Sequence, residues 1–218
     1  MAETAKKAGV QLVGAGIGLV AGGPLGALVG AASVPIVELV VLRERQSRRN
    51  MELLINMVTD LCGVSVNEFA AWAQEGDERL FLVTSALQAA YDAKTKQKIR
   101  GLARVLVESL HDDARLDLCN LTVAALAELE PPHVRVLHTF VHDVPPVTSP
   151  RIRTENGEWH CAQLKEHLPN LADGIMPIIA TLFRNGMITE GLSSEKDNLS
   201  WVVTRFGITC LNYLGDIL

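Results

Sequence analysis

Leu182-Phe183-Arg184-Asn185-Gly186-Met187-Ile188, followed after a polar interval by Trp201-Val202-Val203-Thr204-Arg205-Phe206-Gly207-Ile208, decides how the C-terminal part of the chain is read. In the first stretch an apolar helical pattern stops at Asn185-Gly186, where glycine supplies the left-handed backbone that ends a helix, and an extended Met187-Ile188-Thr189-Glu190 begins. Residues 191–200 are polar and read as a wing. Trp201–Thr204 reads as a strand, and a last helix runs to Leu214. Upstream, Trp159–Leu168 and Leu171–Asn185 are expected as two short helices, with Pro177 bending the second. Before them lie a helix His133–Val141, preceded by the breaker Pro131-Pro132, and the proline-rich connector 144–150.

Further toward the N-terminus the pattern is that of ordinary amphipathic helices. Leu53, Leu54, Met57, Val58 and Leu61 recur at helical spacing up to Gly63. Ser65-Val66-Asn67-Glu68 opens a helix through Ala73, and Gly76-Asp77-Glu78 opens the next, with Leu80, Val83, Leu87 and Tyr91 along it. Lys94–Leu110 presents Ile99, Leu102, Ala103, Leu106, Val107 and Leu110 as one face, and Asp112-Asp113 puts negative charge at the start of a helix reaching Leu129. Lys94, Lys96, Lys98, Arg100 and Arg104 form a basic run, expected as a solvated face; anionic lipid headgroups are its alternative ligand.

The first 40 or so residues are unlike the rest. From Ala8 to Val37 there are 30 positions without a charge, and 8 of the chain's 17 glycines fall between Gly9 and Gly30. Gly14, Gly18, Gly22, Gly26 and Gly30 recur every four residues, so on a helix they form one stripe of bare backbone, a glycine zipper. Glycine inside a helix costs roughly 0.5 to 1 kcal/mol relative to alanine in water, whereas in lipid or a tight helix pair it permits close approach. Gly22-Gly23-Pro24 divides the stretch into arms over 10–21 and 25–42, each shorter than the ~20 residues of a full span. Lys6 and Lys7 flank one end and Arg43, Arg45, Arg48 and Arg49 the other, which would keep both ends on the cytoplasmic side of a bilayer, as a re-entrant hairpin requires. Glu38, among Ile36, Val37, Leu39 and Val40, is either pore-lining or a surface residue at the membrane edge. A flexible linker would be richer in polar residues than this segment. A signal peptide cleaved near Ala31-Ala32-Ser33 would have a shorter apolar core.

The mean hydropathy of +0.20 is carried by that segment. Residues 50–218 hold 14 Lys+Arg against 22 Asp+Glu, a balance that repels phosphate, so no specific nucleic-acid partner is expected. Cys62, Cys119, Cys161 and Cys210 are widely spaced in apolar contexts and are expected as reduced thiols of a cytosolic compartment, with a disulfide framework as the alternative. No phosphate loop, dinucleotide fingerprint, nucleophile elbow or zinc-protease motif occurs. His138, His142 and Asp143 lack a fourth neighbour suited to a metal, and His160-Cys161 lacks a catalytic partner. The expectation is a non-enzymatic protein with no catalytic residues, no metal and no cofactor.

The order of helices, glycine exit, strand, wing, strand and closing helix in residues 131–218 resembles a winged helix, carried by the two stretches quoted above. Its DNA-reading role does not transfer, because the helix 171–185 that would enter the groove holds one basic residue, Arg184. The whole layout resembles bacterial abortive-infection proteins of the alpha type and related antiphage membrane effectors. That resemblance implies a C-terminal module that senses or docks a protein partner and an N-terminal segment that oligomerises and injures membrane lipid. The expected architecture is mainly α: a glycine-zippered hairpin in 1–42, a helical domain in 43–130 and a winged-helix-like module with a small β-wing in 131–218. A homo-oligomer on the cytoplasmic side of the inner membrane, or in the cytoplasm until activated, is the expected form. A protein-binding adaptor is the alternative, and a transcriptional regulator a more distant one.

Overall fold

The computed structural model describes residues 34–143, 145, 157–191 and 199–215. In chain order these form α1 (Val34–Cys62), α2 (Val66–Gln74), α3 (Asp77–Tyr91), α4 (Lys96–His111), a 3-10 turn (Asp113–Arg115), α5 (Leu116–Glu128) and α6 (Pro131–His142). There follow β1 (Trp159–His160), α7 (Cys161–His167), a 3-10 turn (Pro169–Gly174), α8 (Ile175–Arg184), β2 (Ile188–Glu190), β3 (Ser200–Val203) and α9 (Arg205–Leu214). The described chain is thus mainly helical, with one small antiparallel sheet in the order β1-β3-β2.

Side chains at the helix ends explain most boundaries. Ser65 Oγ accepts from the Glu68 amide at 3.2 Å while the Glu68 carboxylate accepts from the Ser65 amide at 2.7 Å, a reciprocal cap on α2. Asp112 accepts from the Ala114 amide and starts the turn before α5. Gly63 and Gly186, with φ of +67° at both, close α1 and α8 in the left-handed conformation. At α8 the Gly186 amide donates to Phe183 O and the Met187 amide to Leu182 O, both at 2.9 Å.

Three local expectations change. Trp159 and His160 are a strand rather than the start of a helix, because Trp159 pairs with Trp201 and His160 with Ser200 across the sheet, and that long-range pairing outweighs local periodicity. Residues 171–174 belong to a 3-10 turn, and α8 begins at Ile175. Pro177 therefore falls in the first turn of α8, where its missing N–H would have no helical partner anyway, instead of bending a helix interior. For the same reason Pro131 and Pro132 are the first residues of α6 and not a break before it.

The chain divides into two compact units, Met1–Arg49 and Asn50–Leu218. Within the second, Leu54 and Val58 of α1, Leu82 and Ala86 of α3, Leu102 and Leu106 of α4, and Val123 and Leu126 of α5 are buried together with Leu137, Trp159, Leu182 and Met187. Asn50 Nδ2 donates to Ala93 O at 3.0 Å and ties α1 to the α3–α4 connection. The core runs without interruption across position 130. A Cβ on Gly101 of α4 would lie 3.1 Å from Leu214 Cδ2 and 3.6 Å from Leu126 Cδ1, so glycine there lets α9 and α5 approach α4 closely. Arg104 Nη1 of α4 donates to Asn212 O at 3.1 Å and Tyr213 O at 2.9 Å, capping the end of α9, and Tyr213 Oη donates to Glu108.

The junction of sheet and last helix is built around Thr204. Its hydroxyl donates to Gly186 O at 2.7 Å and accepts from the Gly207 amide at 3.0 Å, so it caps α9 and clamps the exit of α8 at once. Thr204→Val keeps the shape and removes both bonds; a loss of about 1.5 kcal/mol in unfolding free energy is expected, read from the urea midpoint.

Candidate membrane-interaction segment

The N-terminal site residues Lys6, Lys7, Gly14, Gly18, Gly22, Gly26 and Gly30 lie outside the described residues. Arg43, Arg45, Arg48 and Arg49 lie on α1 and are all exposed. Just before them, Leu39, Val40, Val41 and Leu42 are 66%, 63%, 43% and 58% exposed, a concentration of apolar surface that a soluble helix would normally turn inward. Glu38 is exposed as well, and Arg48 Nε pairs with Glu44 Oε1 at 2.9 Å. From Glu38 onward, Ser47 is the first buried position. Among the described residues no single helix is long and apolar enough to cross a membrane.

The basic run of α4 is dispersed by its helical geometry. Lys94 pairs with Glu130 at 2.8 Å, and Arg104 caps α9. Lys98 turns inward: its Nζ donates to Ala127 O at 2.5 Å and Leu129 O at 3.1 Å, holding the last carbonyls of α5. It borders a cavity of about 160 Å³ shared with Thr95, Leu129, Val134, Arg135 and Leu214. Burial pulls its ammonium below the ordinary lysine value, with Glu130 and Asp92 pulling the other way. Only Lys96 and Arg100 remain as exposed cations of the run with no ion pair or cap described for them. The signal for Lys98 is its place on the α4 wheel, one turn before Leu102 on the buried face, which a count of charges along the chain hides.

The remaining candidates assemble no chemistry. His138 and His142 lie with ring centroids 4.3 Å apart and planes tilted by 37°, but Asp143 Oδ2 bonds instead to His167 Nε2 at 3.1 Å. No group of three His, Cys, Asp or Glu is placed to hold a metal among the described residues. All four cysteines are free thiols; burial pushes Cys210 up to about 12, and raises Cys62 and Cys119, which keeps them protonated and poorly nucleophilic. Cys161 Sγ lies 3.6 Å from Met176 Sδ rather than against a base.

The outer face of α8 carries Met176, Pro177, Ala180 and Phe183, all exposed. Its one arginine, Arg184, is engaged with Glu128, and Asn185 Nδ2 donates to the same carboxylate at 2.9 Å. That face offers apolar contact and no donors for phosphate or base edges.

Comparison with family models, with curated proteins and with solved structures gives no match.

Proposed function

We propose that the chain is a non-enzymatic membrane effector of the bacterial antiphage kind, which self-associates through the glycine stripe Gly14–Gly30 and permeabilises the bilayer. The observation that carries it is the exposed Leu39–Leu42 stretch of α1, standing between an uncharged run of 30 residues and four exposed arginines. Apolar surface of that kind is stable only against lipid, a neighbouring protomer or protein cover. In the resting protein it is covered, on the cytoplasmic side or in the cytoplasm; on activation it enters the membrane.

Residues 131–218 act in this proposal as a winged-helix-like docking module. The order α6-β1-α7-α8-β2-β3 and the strand order β1-β3-β2 support it. The apolar outer face of α8, and 7 Lys+Arg against 9 Asp+Glu over these residues, favour a protein partner over nucleic acid. The same exposed Met176 and Phe183 favour a second reading, a constitutively anchored adaptor whose zipper only dimerises.

The test is growth and entry of an impermeant dye in bacteria expressing the full chain. Gly18→Leu, Gly22→Leu and Gly26→Leu together keep hydrophobicity and block close helix packing. The triple variant is expected to slow dye entry by at least about tenfold, the equivalent of about 1.4 kcal/mol of helix association. Undiminished entry would count against the zipper. A full chain that resides in the membrane without dye entry or growth arrest would favour the adaptor.

A further inference from the structure

On an α-helix successive residues are separated by about 100°, so Leu39, Val40, Val41 and Leu42 point to all sides of α1 and not to one stripe. The arginines lie on two sides: relative to Arg43, Arg45, Arg48 and Arg49 project at about 200°, 140° and 240°, within about 100° of one another and opposite Arg43. All four apolar side chains and all four arginines are exposed. The apolar side chains thus surround α1, and apolar and cationic surface follow one another along the helix axis with no apolar face running beside the arginines. The two sets are centred roughly 9 Å apart, from a rise of 1.5 Å per residue.

A helix that lies in the plane of a membrane needs the opposite arrangement, an apolar face and a polar face running its whole length. Axial separation suits a helix that enters end-on, apolar end first, with the cations left at the level of the headgroups. Arg43–Arg49 covers about 9 Å of axis, close to the ~5 to 8 Å depth of one headgroup region. The charge there is positive, four arginines against Glu38 and Glu44 over residues 38–49, and so complements an anionic surface.

We infer that residues 38–49 of α1 form an end-on anchor for anionic lipid, in which Leu39–Leu42 enters the acyl region and the four arginines, Arg43 on one side of the helix and the other three opposite it, meet the headgroups. This rests on the membrane reading of the protein and adds two things to it, the lipid class and the direction of entry.

The experiment uses the full chain with phosphatidylcholine vesicles and with vesicles carrying one part in three phosphatidylglycerol. A fluorescent amino acid is placed singly at each exposed position from 39 to 46, and its depth is read with quencher lipids. Depth is expected to increase steadily from 46 toward 39, by about 1.5 Å per residue. Binding is expected to be stronger on the anionic vesicles. Replacing Arg43, Arg45 and Arg49 together by glutamine should weaken it there by about 100-fold, each charge contributing about fivefold. A depth profile that oscillates every three to four residues would overturn end-on entry, since that is the signature of a helix lying flat. Equal binding to both vesicles, or no effect of the triple variant, would overturn the anionic preference while leaving the membrane reading in place. No binding to either vesicle, in a chain that also fails to admit dye in cells, would remove that reading and the anchor with it.

Discussion

Gly207→Ala is expected to lower the free energy of unfolding by about 3 kcal/mol, at the upper end of what an added methyl group costs in a packed site. A Cβ at this position would sit 2.2 Å from Met187 O and 3.0 Å from its carbonyl carbon. The obstacle is backbone, and it is not free to retreat. Met187 O accepts from the Thr204 amide at 2.9 Å and lies 3.1 Å from the Thr204 hydroxyl, whose single proton it shares with the nearer Gly186 O, and Met187 leads directly into β2. Relief would mean breaking the clamp between the exit of α8 and the start of α9, or shifting α9 off α4. Gly174→Ala is the matched control, because its Cβ would meet only Ile178 Cδ1 at 4.0 Å; it should change stability by less than about 0.5 kcal/mol. Urea unfolding of both variants decides the matter through their midpoints at unchanged slope. A cost below 1 kcal/mol for Gly207→Ala would mean that the sheet can slide away from α9, and that the junction is softer than its hydrogen bonds imply.

Gly207 also marks how far the sequence could be read. The helix-glycine-strand exit at Asn185-Gly186 is legible because its cause is local: the left-handed residue and its two capping bonds all lie within six residues. The closing segment Thr204-Arg205-Phe206-Gly207 is legible as a helix start. The reason Gly207 must be glycine is not, since it depends on a carbonyl 20 positions away in sequence. β1 is illegible for a stronger version of the same reason: two residues carry no periodicity, and only the partners Trp201 and Ser200 make them a strand. The prolines mislead because proline breaks a helix interior but not a helix start, and Pro131, Pro132 and Pro177 all fall in first turns, where proline is tolerated. In the candidate anchor the residue types and spacing were legible. The separation of apolar and cationic surface along α1 emerges only once Val34–Cys62 is known to be one helix with Leu39–Leu42 exposed.

Lys98 is where charge counting and structure diverge most, and its replacement by methionine should cost about 3 kcal/mol. The ammonium reaches the end of α5 at Ala127 O and Leu129 O, and hydrogen bonds from a charged donor contribute about 1.5 to 3 kcal/mol each. Methionine fills similar volume but leaves both carbonyls without that donor, at the negative end of a helix. Against this stands the desolvation of the ammonium, which the variant no longer bears; where that dominates, replacing a buried charge by an apolar side chain is neutral or stabilising. The cost of the variant does not depend on the ammonium staying charged, because a neutral amine still donates, and methionine leaves two carbonyls at the end of α5 for which no described backbone amide substitutes. Lys96→Met, two residues away on the exposed side of α4, should stay within about 0.5 kcal/mol. The pH dependence has a definite sign. Burial lowers the Lys98 value in the folded state, so in the interval below 10.5 the unfolded chain holds a proton that the folded protein has released. Stability of the wild type relative to Lys98→Met therefore rises as pH climbs through that interval, and a difference that falls instead would place the carbonyl bonds, and not burial, in control of the proton.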